Sequence, residues 1–155
     1  MNKILKLFIC LLLPITFGGL SGYITVEGVR EWYSTLIKPS FNPPNKLFGP
    51  VWTVLYILMG ISLFRISDLV KSKERNQALI VFGIQLVLNF LWSILFFKFH
   101  LIGLALVDII LLWIAIFIMI LQFRKLDAVS SFLQIPYLLW VSFASILNIS
   151  ILYLN

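Results

Sequence analysis

The sequence predicts an all-α membrane protein: one bundle of five transmembrane helices, with a long loop rich in proline and aromatic residues between the first and second. Three observations carry this. The 155 residues are 61% hydrophobic and 12% charged, whereas a soluble domain is nearer half apolar and a quarter charged. Leu104–Val107 and Ile109–Gln122, parted only by Asp108, make one long apolar stretch, unlike the short alternating segments of a membrane barrel. Lys and Arg gather at the ends of the apolar segments, where topology signals and headgroup contacts belong. So large an apolar excess cannot be hidden in a small water-soluble core. In lipid, a helix satisfies every backbone group within its own segment.

At about 20 residues per span, five spans occupy most of the chain and leave no separate soluble domain. Residues 1–155 therefore read as a single transmembrane domain. The first span covers residues 7–26. It follows Lys3 and Lys6 as a signal peptide would, but the apolar stretch is long and lacks a small-residue cleavage site, so it is expected to remain as a helix. The second covers 48–66, the third 78–99, the fourth 101–123 and the fifth 129–153. Short connections force antiparallel neighbours, so the third span is expected beside the fourth and the fourth beside the fifth. Residues 27–47 form the longest predicted loop.

A net charge of +6 on a soluble protein suggests nucleic acid. Here the cations flank the spans, which points to the lipid membrane and away from nucleic acid. With the N-terminus cytoplasmic, that side carries Lys3, Lys6, Arg65, Lys71, Lys73, Arg75, Arg124 and Lys125; the other carries Arg30, Lys38, Lys46 and Lys98. Eight against four predicts a cytoplasmic N-terminus and an outer C-terminus. The single cysteine, Cys10, forms no intrachain disulfide and reads as a small packing residue.

The predicted loop contains Trp32, Tyr33 and Phe41 among Pro39, Pro43, Pro44 and Pro50. Prolines stiffen the chain, and a stiff aromatic loop suits a lid. The same aromatics also suit an interfacial belt, and composition leaves both readings open.

Polar residues within spans usually face protein or a cavity. Gln85, Asn89 and Trp92 share one face of the third span, Trp52 and Tyr56 one face of the second, and Trp140, Ala144 and Asn148 one face of the fifth. Together they make either an apolar pocket with a few hydrogen-bonding groups or a set of ties between helices. Asp108 is the one acid well inside a span; we read it as a neutral group bonded to a neighbouring helix rather than as a functional acid. His100 reads as a turn residue. Gly18 and Gly22 allow close helix approach, within one chain or between two. The sequence carries no phosphate loop, paired carboxylates or metal-spaced cluster. It therefore predicts no metal and no required cofactor, and any enzyme chemistry would run through aromatics.

Several motifs occur together. Trp32-Tyr33 is followed by Lys38-Pro39-Ser40-Phe41-Asn42-Pro43-Pro44, Gly49-Pro50-Val51-Trp52, Leu55-Tyr56 and Met59-Gly60. Leu88-Asn89-Phe90-Leu91-Trp92, Phe96-Phe97, Ala105-Leu106-Val107-Asp108, Pro136-Tyr137-Leu138-Leu139-Trp140, Ala144 and Leu147-Asn148 complete the series. In order and spacing, over nearly the whole chain, this resembles the TspO/translocator protein family, the tryptophan-rich sensory proteins. Phe41 stands where the family often has tryptophan.

The resemblance implies a five-helix bundle in a bacterial cell membrane, a homodimer, and a pocket that opens toward the first loop and binds porphyrins such as protoporphyrin IX and haem. It also implies binding of synthetic isoquinoline and benzodiazepine-type ligands. By position, Trp52 and Trp140 would be pocket tryptophans, Asn89 a polar contact, Trp32, Tyr33 and Pro43 lid residues, and Ala144 a packing contact, with Tyr56, Trp92 and Asn148 on the same faces. The family's cholesterol motif has a basic residue after its tyrosine; Leu152-Tyr153-Leu154-Asn155 has none, so cholesterol recognition of that kind does not carry over. Relatives that degrade protoporphyrin in light make Trp52 and Trp140 candidate catalytic residues, with porphyrin as ligand or substrate. The functional expectation is a membrane porphyrin receptor or sensor, with photo-oxidation as a sub-activity. A tetrapyrrole or sterol transporter is the alternative, for which inverted repeats or broken helices would be expected.

Overall fold

Thirty-three residues, Lys3–Thr35, run as one continuous helix in a computed structural model that describes residues 1–155. This is α1. The others are α2 (Asn45–Asp68), α3 (Lys73–Lys98), α4 (Ile102–Leu126) and α5 (Ala128–Leu154), each long and apolar enough to cross a membrane. They form a closed ring in the order α1–α2–α5–α4–α3. The neighbours expected from the short turns, α3 with α4 and α4 with α5, are both present. Only 36 of 155 residues are buried, while large apolar side chains such as Phe8, Ile80 and Leu139 are about 60% or more exposed. A surface like that is stable against acyl chains, not water, and the chain is an integral membrane protein.

The long loop predicted for residues 27–47 is a correction. The helix carries on past Glu27 to Thr35, leaving only residues 36–44 between α1 and α2. Glu27, Arg30 and Glu31 mark where the chain leaves lipid, but no proline follows until Pro39. Loss of hydropathy ends the contact with the bilayer; it does not end the backbone hydrogen bonding.

Two helices carry one wide, π-type turn each: Gly28–Trp32 in α1 and Ile94–Lys98 in α3. The turns meet, because Gly28 lies against the carbonyl of Phe97 so closely that a Cβ would overlap it. In α5 the helix breaks at Gln134, just before Pro136, which has no N–H to continue the ladder.

The two ends of the bundle are held differently. At one end, Arg65 and Asp127 pair through two bonds of 2.7 and 2.9 Å, Lys6 bonds the Ser67 carbonyl and Asp68 at 2.8 and 3.2 Å, and Arg75 donates to the Ser67 carbonyl at 2.7 Å. Asp127 also accepts from the Ser130 N–H at 3.0 Å, capping the start of α5. At the other end the ties are neutral. Tyr33 donates to Asn42 Oδ1 at 2.7 Å. The Asn155 carboxamide grips Ile37, accepting from its N–H at 3.0 Å and donating to its carbonyl at 2.9 Å.

Candidate ligand-binding cavity

The end closed by the Tyr33–Asn42 bond contains a cavity of about 360 Å³ between α1, α2 and α3. Its α1 wall is Ile15, Gly18, Gly22, Thr25 and Val29, at steps of three and four that keep one face of a helix turned inward, with Tyr33 following just after the wide turn. Glycines make this wall thin. At Gly18 the missing side chain admits the Tyr56 ring, whereas a Cβ at Gly22 would meet nothing within 4 Å. The Gly18/Gly22 pair thus serves a contact within one chain at its first member and cavity space at its second. The hydroxyl of Thr25 is satisfied by the Ser21 carbonyl at 2.8 Å, so it presents mainly its methyl side.

The facing wall is aromatic. α2 supplies Phe48, Trp52 and Tyr56, and α3 supplies Asn89, Trp92 and Phe97. Trp52 lies 5.6 Å from Tyr56 at 26°, 6.5 Å from Trp92 and 6.2 Å from Tyr137. Trp52 and Trp92 also border an adjoining hollow of about 20 Å³, closed on the far side by Trp140, Ala144, Leu147 and Asn148 of α5.

A polar chain runs behind the rings. Tyr56 donates to Asn89 Oδ1 at 3.0 Å, Asn89 Nδ2 donates to the Tyr137 oxygen at 2.8 Å, and Tyr137 donates to Gln85 Oε1 at 2.8 Å. Trp92 Nε1 donates to Asn148 Oδ1 at 3.1 Å, and Asn148 donates onward to the Ile102 carbonyl at 3.1 Å. The amides singled out in the sequence therefore do both things weighed there: they join α2, α3 and α5, and they hold the rings that line the hollows.

Of the residues marked from sequence, Tyr33, Trp52, Tyr56, Asn89 and Trp92 line the larger cavity. Trp140, Ala144 and Asn148 line the small hollow and not the larger cavity. Trp140 packs between Phe48 and Phe143 and forms a wall shared with an open groove containing Pro50 and Pro136. Trp32 and Pro43 border neither hollow. Trp32 turns to a separate polar recess and stacks on His100 at 4.2 Å. The pocket expected among the second, third and fifth spans is thus displaced toward α1. Gly18 and Gly22 alone signal close helix packing, but the recurrence of Gly, Ser and Thr at helical spacing along α1 is the signal of this cavity wall. Asp108, expected to bond a neighbouring helix, is buried with Oδ2 unpartnered.

Five apolar helices around an aromatic, amide-bearing cavity define a helical integral membrane protein. The chain belongs to the TspO/MBR family, whose model matches residues 10–154. It is 45% identical over 157 residues to the tryptophan-rich protein TspO of Chlorobaculum tepidum, covering 100% of this chain and 99% of that protein. It is 43% identical to the protein of the same name from Archaeoglobus fulgidus, covering 99% of each. The similarity extends to the translocator protein of Homo sapiens, 35% identical over 132 residues, which is 83% of this chain and 76% of that one.

Proposed function

We propose that the cavity takes up a porphyrin, protoporphyrin IX or haem, and that the protein is a membrane receptor or scavenger of such molecules. The observation that supports this most is the setting of Trp52. It borders both hollows and is surrounded by Tyr56, Trp92 and Tyr137, a surface suited to a flat aromatic macrocycle. No charged side chain lines either hollow, so the apolar ring enters and ionised substituents stay at the mouth. The volume falls within the usual range for small-molecule sites. Isoquinoline and benzodiazepine-type molecules satisfy the same requirements. Residues 36–44, fastened by Tyr33–Asn42 and Asn155–Ile37, act as the lid. In this reading the protein is a homodimer of the bacterial cell membrane with its N-terminus cytoplasmic, following the distribution of Lys and Arg.

Photo-oxidation is a second reading, favoured by the contact between Trp52 and Tyr56. An excited porphyrin takes an electron from the Trp52 indole and passes it to dioxygen, giving superoxide. A ground-state porphyrin then returns an electron to the indole radical cation, and the resulting porphyrin radical cation combines with superoxide. The indole ends unchanged and the macrocycle is oxidised. Trp140 is the second candidate donor. Transport of tetrapyrroles or sterols is the alternative: α5 is broken at Gln134, but that break lies at the ion-paired end, away from the cavity.

Titrating the purified protein with protoporphyrin tests the reading, with tryptophan quenching followed in the dark and absorbance under illumination. Saturable quenching is expected, and its absence overturns the proposal. A protein-dependent product in light supports photo-oxidation; saturable quenching without one leaves a receptor. Protoporphyrin accumulation in proteoliposomes against a gradient would favour transport.

A further inference from the structure

Outside the aromatic cavity, a polar recess of about 190 Å³ lies where the last turns of α1 meet the end of α3. Its walls include Glu27 and Glu31, one helical turn apart, Trp32, Lys98 and His100. Charges of both signs surround the recess, yet neither carboxylate forms an ion pair there; the ion pairs of the bundle are Lys3–Asp68, Lys6–Asp68 and Arg65–Asp127. The side chains of Glu27, Glu31 and Lys98 also make no hydrogen bond to protein, although side-chain bonds elsewhere are numerous. All three side chains are exposed at the rim of the recess, beside the two π-type turns that bring Gly28 against the Phe97 backbone.

The position is that of a lipid–water boundary. Glu27 and Glu31 begin the polar stretch of α1, and beside them Leu20, Tyr23, Phe99 and Leu101 expose apolar surface, Tyr23 at 81%. We propose that the recess binds the headgroup of a zwitterionic aminophospholipid. The ammonium sits between Glu27 and Glu31, the phosphate faces Lys98, and the acyl chains lie along the exposed apolar face of α1. A primary ammonium suits two carboxylates because it donates up to three hydrogen bonds. An anionic headgroup meets two like charges and is disfavoured. Trp32 reports on the site, since one face stacks on His100 and its edge meets Phe96 at 5.6 Å.

The test uses full-length protein in bilayer discs of phosphatidylcholine, into which brominated phosphatidylethanolamine or brominated phosphatidylglycerol is titrated while tryptophan emission is read. The Trp32→Phe variant identifies the share of quenching that arises at this site. We expect phosphatidylethanolamine to be preferred over phosphatidylglycerol by about threefold or more, the size that two exposed charge contacts provide. Glu27→Gln with Glu31→Gln should erase the preference, and Lys98→Gln should weaken both lipids. Soluble phosphoethanolamine should displace the brominated lipid only weakly if the acyl chains contribute; full displacement at low concentration would mean that a free phosphoamine is the ligand and would overturn the lipid assignment. Equal quenching by the two lipids, or a preference unchanged in the double variant, would overturn the site altogether. Because the exchanged residues make no side-chain bonds, an unchanged melting temperature is expected and separates loss of the site from loss of the fold.

Discussion

Arg65 of α2 holds the Asp127 carboxylate through two parallel hydrogen bonds, 2.7 and 2.9 Å, across 62 residues of sequence. Asp127 in turn caps α5 through Ser130, so one carboxylate joins two helices and begins one of them. Arg65 is 40% exposed, which limits what the pair contributes, and Asp127→Ala should cost about 1–2 kcal/mol, chiefly as a lost cap. Thermal melting in detergent measures it. The guanidinium holds the Asp127 carboxyl well below its usual range. That stabilisation is therefore fully present above the ordinary carboxylate value near pH 4, and is lost progressively as pH falls from there to the lowered folded value. Wild type and Asp127→Asn should differ by a constant amount from about pH 5 to 8 and converge in strong acid.

The Tyr56–Asn89–Tyr137–Gln85 chain gives a second prediction. Asn89→Leu leaves the Tyr56 hydroxyl without its acceptor and Tyr137 without its donor, and should destabilise the bundle by about 1–3 kcal/mol. Tyr56→Phe removes one hydroxyl at the chain's end and should cost about 1 kcal/mol or less. If both variants melt with wild type, the chain does not hold the helices together.

Gly18 and Gly22 should respond oppositely. Gly18→Val forces a side chain into the Tyr56 ring and should lower stability by about 1–3 kcal/mol. Gly22→Leu enters open space; it should leave the melting temperature unchanged and weaken porphyrin binding by about tenfold or more through lost cavity volume. Equal porphyrin affinity in Gly22→Leu and wild type would place the ligand elsewhere.

Trp52→Phe should keep porphyrin affinity within about tenfold, because one aromatic contact contributes about 0.5–1.5 kcal/mol beyond area burial, while removing most light-driven product. Trp140→Phe should have the smaller photochemical effect, since Trp140 borders the small hollow and an outer groove but not the larger cavity. Turnover that survives in the double variant would exclude the indole as electron donor.

The lid gives a kinetic prediction. Pro43→Gly with Pro44→Gly should raise the porphyrin off-rate by removing preorganisation. Asn155→Ala, which frees both polar groups of Ile37, should do so independently. Stopped-flow dissociation distinguishes a lid from an interfacial anchor, which would leave the off-rate unchanged.

Much of this architecture could be read from the sequence, because hydropathy reports directly on which segments lie in lipid. The five spans and the antiparallel neighbours set by Lys98–His100 follow from that alone. Tyr56, Asn89 and Trp92 could be placed on inward faces because polar and amphipathic groups in a span have few other places to go. The extension of α1 to Thr35 was not legible, since Glu27 and Arg30 end contact with lipid and carry no instruction to end a helix. The orientation of Trp32 was hidden for a different reason. It depends on the wide turn at Gly28–Trp32, and a periodicity of three and four residues assumes that no such turn intervenes. Spacing also underrated Gly22, because a residue without a side chain lines a cavity by what it omits.

The paired wide turns also bear on which changes of length the chain tolerates. Each places an additional residue in its helix, and one residue corresponds to about 100° of rotation. Deleting one residue from 28–32 would restore an ordinary helical phase and swing Tyr33 away from Trp52 while leaving every lipid-facing residue upstream in place. Among homologous chains, insertions and deletions in these two turns should be rarer than in residues 36–44, where the backbone follows no helical phase, and position 28 should stay glycine because a Cβ there overlaps the Phe97 carbonyl.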